Sequence, residues 1–103
     1  MLTTGGTIAS VITPYGLIPT LNSKELLSYL PKLEENINIE TRELYSIDST
    51  NTRPEHWKLI ANAIESEYNN YDAFVICHGT DTMAYTASAL SYLIQNSPKP
   101  IVL

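Results

Sequence analysis

Three short polar segments hold most of the residues of this 103-residue chain that could do chemistry. In the first, Gly5-Gly6-Thr7-Ile8-Ala9-Ser10, two glycines let the backbone turn tightly and approach a ligand, which leaves the Thr7 hydroxyl placed to act as a nucleophile. A threonine hydroxyl attacks poorly at neutral pH, so Thr7 needs a base within hydrogen-bond reach and donors for the developing oxyanion. Taken alone, Gly-Gly-Thr also reads as a plain tight turn. A phosphate cradle ranks below both readings, because the segment lacks the Gly-Lys-Ser/Thr ending of a P-loop and the third glycine of a dinucleotide fingerprint.

The second segment, His78-Gly79-Thr80-Asp81-Thr82, packs an imidazole, hydroxyls and a carboxylate into consecutive positions. Asp81 suits an ammonium group or the orientation of a neighbour, and Thr80 suits proton relay or the positioning of attacking water. Asp81 or Thr82 is also expected to cap the helix that follows, and the two roles coexist. The third segment, Asp48-Ser49-Thr50-Asn51, offers donors and acceptors matched to the charged ends of a zwitterionic amino acid; by itself it reads as a polar turn. His56 lies beside Trp57 in a helical segment and reads as a surface or packing residue. Two histidines so placed make no metal site.

The order of elements tells where these segments sit. Met1-Leu2-Thr3-Thr4 reads as the end of a buried strand, followed by a loop over residues 5–20 with Pro14 and Gly16 as breakers. Asn22 and Glu25 have capping-box spacing ahead of a short helix with Leu26, Leu27 and Leu30 in a stripe, ended by Pro31. Alternation of Ile37, Ile39 and Thr41 with polar residues predicts a half-buried strand over 37–45, and residues 46–52 form a polar loop. Thr52 and Glu55 make a second capping-box pair, with Pro54 in the first turn and Trp57, Ile60, Ala61, Ile64 and Tyr68 at helical spacing. The apolar run 73–77 predicts a strand covered on both faces. Met83, Ala87, Leu90, Leu93 and Ile94 predict a third helix, and Ile101-Val102-Leu103 a last strand. The order β, α, β, α, β, α, β predicts an α/β fold, in which ligands bind beyond the carboxyl ends of the strands. Each of the three polar segments follows a strand.

With 44% hydrophobic and 17% charged residues, the chain suits one compact domain and is too apolar for disorder. A net charge of −5 with scattered basic residues argues against nucleic acid and anionic membranes as partners, leaving a small polar solute as the natural ligand. The lone Cys77 excludes an intrachain disulfide framework and fits a reducing compartment, with the cytoplasm as the expected location. No apolar run approaches the roughly 20 residues of a membrane span, and no export signal is visible. The first strand and the run Pro100-Ile101-Val102-Leu103 both read as interrupted elements, which predicts a longer parent chain and an incomplete fold.

Taken together, Thr4-Gly5-Gly6-Thr7-Ile8-Ala9 and His78-Gly79-Thr80-Asp81-Thr82-Met83 resemble the paired signatures of the bacterial-type L-asparaginase and glutaminase family. The resemblance extends through Ile47-Asp48-Ser49-Thr50-Asn51 and Met83-Ala84-Tyr85-Thr86-Ala87, covers nearly the whole chain, and is nearest to the cytoplasmic, type I branch. It implies a flavodoxin-like parallel sheet with flanking helices, residues 1–103 forming part of an N-terminal domain, and a C-terminal domain outside this chain. It implies hydrolysis of L-asparagine to L-aspartate and ammonia: Thr7 attacks the side-chain amide carbon, leaving a β-aspartyl ester that water hydrolyses. By the same carry-over, Thr80 belongs to a second threonine centre and also meets substrate, Ser49 and Asp81 hold the α-amino and α-carboxylate groups, and Asp48 and Thr50 border the site. No metal or organic cofactor is implied, and the full-length protein is expected to be a homodimer or homotetramer.

Two departures matter. The family's second centre uses a lysine from a segment beyond residue 103, and none of Lys24, Lys32, Lys58 or Lys99 stands in its place. The family's loop tyrosine, which activates the nucleophile in many members, has Tyr15 as its nearest candidate, although Leu17 competes for the same position. The isolated chain is therefore expected to be inactive. A subunit supplying ammonia for transfer-RNA amidation shares these motifs and would carry an added N-terminal domain. A non-catalytic amino-acid-binding module, or an inactive truncated remnant, is the alternative from another class.

Overall fold

The computed structural model describes residues 1–6, 9–19, 23–29 and 36–103, with the backbone alone at 17–19 and 23. Thr7 lies outside the described residues, as do Asn22, Leu30 and Pro31, on which the expected start and end of the first helix rest. The elements run β1 (Leu2–Gly5), β2 (Ser10–Thr13), β3 (Gly16–Pro19), α1 (Ser23–Ser28), β4 (Arg42–Ile47), α2 (Pro54–Glu67), β5 (Phe74–Cys77), α3 (Met83–Leu93) and β6 (Ile101–Val102).

Four strands form a parallel sheet in the order β4-β1-β5-β6. The expected α/β parallel sheet is therefore present, and its order follows the doubly wound, flavodoxin-like pattern. Strand β1 sits between β4 and β5, so the carboxyl-end loops of these strands meet at the point where strand order reverses. Leu2 pairs with Arg42 on one side and Ile76 on the other. Thr4 Oγ1 then donates to the Cys77 carbonyl at 2.9 Å, tying β1 to β5 where both strands end.

The core lies on one face. Ile60, Ala63 and Ile64 from α2 and Leu90 from α3 close on Leu2, Phe74 and Ile76. Apolar residues at helical spacing bring one side of each helix to the sheet, and Ile60, Ile64 and Ile76 are fully buried. The expectation that β5 is covered on both faces fails among the described residues. Val75 is 44% exposed and its in-register neighbour Val102 is 53% exposed, because the core side chains of α2 and α3 gather on the opposite face.

Three local expectations are corrected. Residues 5–20 are not one loop: β2 and β3 pair antiparallel, Thr13 with Gly16, around Pro14-Tyr15. Gly16 has φ 109°, a conformation that favours glycine and lets the chain reverse so tightly. The strand predicted over 37–45 is Arg42–Ile47 instead. The ladder needs a partner, and pairing with β1 begins at Leu2–Arg42, so the alternation upstream finds no strand to pair with among the described residues. Arg53 rather than Thr52 holds the cap position of α2, with Pro54 in the first turn; the Arg53 N–H donates to His56 Nδ1 at 2.9 Å. His56 also packs its ring on Tyr45, with centroids 4.8 Å apart, so it is the packing residue expected and a cap besides. Among the described residues no helix is long and apolar enough to cross a membrane.

Candidate active site

The loops after β1, β4 and β5 converge through contacts too close for side chains. A Cβ placed on Gly6 would lie 2.5 Å from the Gly79 Cα, and one placed on Gly79 would lie 2.6 Å from Ser49 Cβ and Oγ. Gly6 also has φ 82°. Only glycine meets both demands at Gly6, and Gly79 fits between Gly6 and Ser49 for lack of a side chain. The Gly6 N–H donates to the Ile47 carbonyl at 2.9 Å, while the Gly6 carbonyl accepts from the Ala9 N–H at 3.0 Å. Ser10 Oγ donates to that same carbonyl at 2.9 Å. The chain is thus anchored before and after Thr7, with Gly6 against the β5 loop and Ala9 buried.

Ser49 and Asp81 come together across the loops. Ser49 is buried and its Oγ donates to Asp81 Oδ2 at 3.1 Å. Thr82 Oγ1 donates to the Ser49 carbonyl at 2.7 Å, which clamps the same two loops a second time. That bond corrects the expectation that Asp81 or Thr82 caps α3. Thr82 occupies the cap position but makes no side-chain cap bond, because its hydroxyl is turned to Ser49 and the Asp81 carboxylate accepts from Ser49 Oγ.

Asp48 borders this pair and is locally occupied. Its Oδ1 accepts from the Thr50 N–H at 2.9 Å and from Thr50 Oγ1 at 2.7 Å, and these bonds hold its carboxyl below the usual carboxylate value. Thr80 stands exposed at the start of a single 3-10 turn, next to Asp81. Tyr15 is not brought to the cluster. It sits at the tip of the β2–β3 hairpin, 93% exposed, with its N–H donating to Thr13 Oγ1 at 3.2 Å.

Beside the loops lies a largely buried polar chain; His78 and Thr86 fall in the motif segments, but no motif shows that they meet each other or Trp57. Trp57 Nε1 donates to Thr86 Oγ1 at 3.0 Å, Thr86 Oγ1 is 2.9 Å from His78 Nε2, and His78 Nδ1 is 2.7 Å from the Gly79 carbonyl. A weaker signal was present: Thr86 precedes Leu90 by one helical turn, so a hydroxyl falls on the core face of α3.

Burial pushes the Cys77 thiol above its ordinary value, which disfavours the thiolate at the carboxyl end of β5. A cavity of about 500 Å³ between α3 and β6 is apolar but for Ser91 and contributes nothing polar to the loop cluster. Among the described residues no group of three or more His, Cys, Asp or Glu could hold a metal ion.

Known proteins give this cluster a setting. The L-asparaginase of Thermococcus kodakarensis is 45% identical over 104 residues, spanning 100% of this chain and 32% of that protein. One subunit of the glutamyl-tRNA(Gln) amidotransferase of Methanosphaera stadtmanae is 48% identical over 106 residues, spanning 100% of this chain and 24% of that protein. Among solved structures, the thermostable L-asparaginase of Thermococcus kodakarensis superposes with a TM-score of 0.84 at 42% identity, covering 98% of this chain and 31% of that one. The L-asparaginase I of Vibrio cholerae superposes with a TM-score of 0.78 at 36% identity, covering 98% of this chain and 32% of that one. The chain thus spans a third or less of the length of these relatives. The family model for the N-terminal part of asparaginase matches residues 1–103 throughout, and the chain belongs to the asparaginase family.

Proposed function

We propose that the three converging loops form part of the active site of an amidohydrolase that releases ammonia from the side-chain amide of L-asparagine. The observation that carries this reading is the Ser49–Asp81 pair, joined across two loops beside the Gly6–Gly79 contact. Because Ser49 Oγ spends its hydrogen on Asp81, both side chains keep acceptor oxygens for a ligand. Such a pair suits an α-ammonium group, whereas an α-carboxylate requires the Ser49 hydroxyl to rotate.

In the proposed reaction Thr7 Oγ adds to the amide carbon and its proton passes to the departing nitrogen, which leaves as ammonia. Water then adds to the acyl carbon of the threonine ester, one of its protons returns to Thr7 Oγ, and L-aspartate departs. Thr80 handles protons or attacking water beside Asp81, while Asp48 and Thr50 border the binding site. Tyr15 is assigned as a further catalytic side chain, carried by the exposed tip of the β2–β3 hairpin. Residues 1–103 are proposed as part of the N-terminal domain of a longer chain with a C-terminal domain, assembled as a homo-oligomer in a reducing compartment.

The test is Thr7→Ala in the full-length protein: ammonia release from asparagine is abolished while the urea midpoint is unchanged. Turnover at the parent rate in that variant overturns the assignment. A second reading, the ammonia-supplying subunit of a transfer-RNA amidotransferase, is favoured by the 48% identity to such a subunit. Full amide hydrolysis by the isolated full-length protein supports the first reading. Hydrolysis that requires a partner subunit and glutamyl-tRNA supports the second.

A further inference from the structure

The hydrogen bonds beside the loops have one consistent direction. An indole N–H only donates, so the Trp57 Nε1 contact makes the Thr86 hydroxyl an acceptor there. The hydroxyl's single hydrogen then has His78 Nε2 as its acceptor, 2.9 Å away, and a ring nitrogen that accepts carries no proton. The imidazole hydrogen therefore resides on Nδ1 and donates to the Gly79 carbonyl at 2.7 Å. If Nε2 carried the proton instead, Thr86 would accept twice and its own hydrogen would be left buried without an acceptor in this chain of bonds. Thr86 is completely buried, and His78 is 8% exposed.

From this geometry we infer that Thr86 is a positioning residue for the loop that bears Thr80 and Asp81. It holds His78 as the neutral Nδ1–H tautomer, and His78 in turn fixes the plane of the Gly79–Thr80 peptide. A peptide is planar, so fixing the Gly79 carbonyl also fixes the direction of the Thr80 N–H on its far side. Gly79 is the residue wedged between Gly6 and Ser49, so rotation of this peptide moves Thr80 within the loop cluster. Asp81 and Thr82 are held separately, by Ser49 Oγ and the Ser49 carbonyl. The influence of Thr86 therefore falls on Thr80 more than on the binding pair. Its catalytic consequence rests on the proposed amidohydrolase reading; the tautomer does not.

The experiment uses the full-length protein with Thr86→Val, Thr86→Ser and Trp57→Phe, and a His78→Gln variant to assign the His78 signals. Nitrogen NMR of the imidazole reads the tautomer, and steady-state ammonia release reads kcat and KM. The parent protein and Thr86→Ser are expected to show a protonated Nδ1 and an unprotonated Nε2. Thr86→Val is expected to show mixed tautomers and to lower kcat about tenfold, the effect of losing one buried hydrogen bond, with KM within about threefold of the parent. Trp57→Phe retains the tautomer, since Thr86 still donates to His78. A protonated Nε2 in the parent overturns the inference, as does Thr86→Val with unchanged tautomer and kcat, or Thr86→Ser as impaired as Thr86→Val. A parent that shows the Nδ1–H tautomer but releases no ammonia sinks the amidohydrolase reading while leaving the tautomer lock in place.

Discussion

Gly6 and Gly79, at the ends of neighbouring parallel strands, meet backbone to backbone, and a Cβ on Gly6 would fall 2.5 Å from the Gly79 Cα. The contact brings the segment after β1 against the segment after β5, and Ser49 closes the cluster from the third side. Gly79→Ala is expected to destabilise the full-length protein by about 1–3 kcal/mol, because the added methyl meets Ser49 and forces the loops apart. Gly6→Ala adds strain from its positive φ and is expected to cost more. Urea midpoints at constant slope measure both, and a neutral Gly79→Ala would show that the loops yield without cost.

Ser49→Ala removes a hydrogen bond to a carboxylate and one wall of the proposed ammonium site. KM for asparagine is expected to rise about 10- to 100-fold, with kcat changed much less, as befits a charge-assisted hydrogen bond used in binding. Steady-state kinetics on the full-length variant decide it; an unchanged KM removes Ser49 from the binding site.

Tyr45 reports on packing beneath β4. Burial raises its phenol from 10.0 to about 12, with a smaller opposing contribution from Thr4. Since the folded form keeps its proton to higher pH than the unfolded chain, the stability gained from neutral Tyr45 is full below pH 10 and lost as pH rises towards about 12. Tyr45→Phe is expected to flatten this alkaline loss, followed by urea melts across the interval. An equally steep loss in the variant assigns it to other groups.

His56→Ala deletes the ring nitrogen that accepts from the Arg53 N–H at the start of α2. The expected cost is about 0.5–2 kcal/mol, the range for a lost N-terminal cap, with part of it from the Tyr45 contact. Thermal melts of the full-length protein read it, and His56→Asn, which keeps a short acceptor, is expected to recover part of the loss.

Ile64→Ala opens a cavity where α2 meets the sheet. Ile64 is 1% exposed, and the expected loss is about 2–5 kcal/mol. A loss below that range in a urea melt would mean that the neighbouring Ala63 and Leu90 collapse into the space.

The convergence of the candidate site's loops was legible in the chain itself. Asp48, Ser49, Thr80 and Asp81 follow strands in an alternating β/α order, and that order already sends them to one edge of the sheet. The Ser49–Asp81 bond was not legible, because it joins residues 32 apart whose meeting depends on the placement of β1 between β4 and β5. The Trp57–Thr86 bond was hidden for a related reason. Each residue lies on a helix that periodicity identifies, but periodicity does not say that a threonine on one core face meets an indole on the next. The β2–β3 hairpin was hidden by Pro14 and Gly16, which mark a turn equally well inside a hairpin or a loop.

The sequence alone determined the helices α2 and α3, whose apolar spacing is local, the parallel α/β class, and the identity of the polar residues at the strand ends. Tertiary structure alone decided that β4 starts at Arg42, that Val75 faces outward, that Thr82 turns to Ser49 instead of its own helix, and that His78 leans back on Thr86. The physical reason is the range of the interactions. Helix periodicity and turn chemistry act within a few residues, whereas strand pairing, face coverage and cross-loop hydrogen bonds exist only once distant segments have packed.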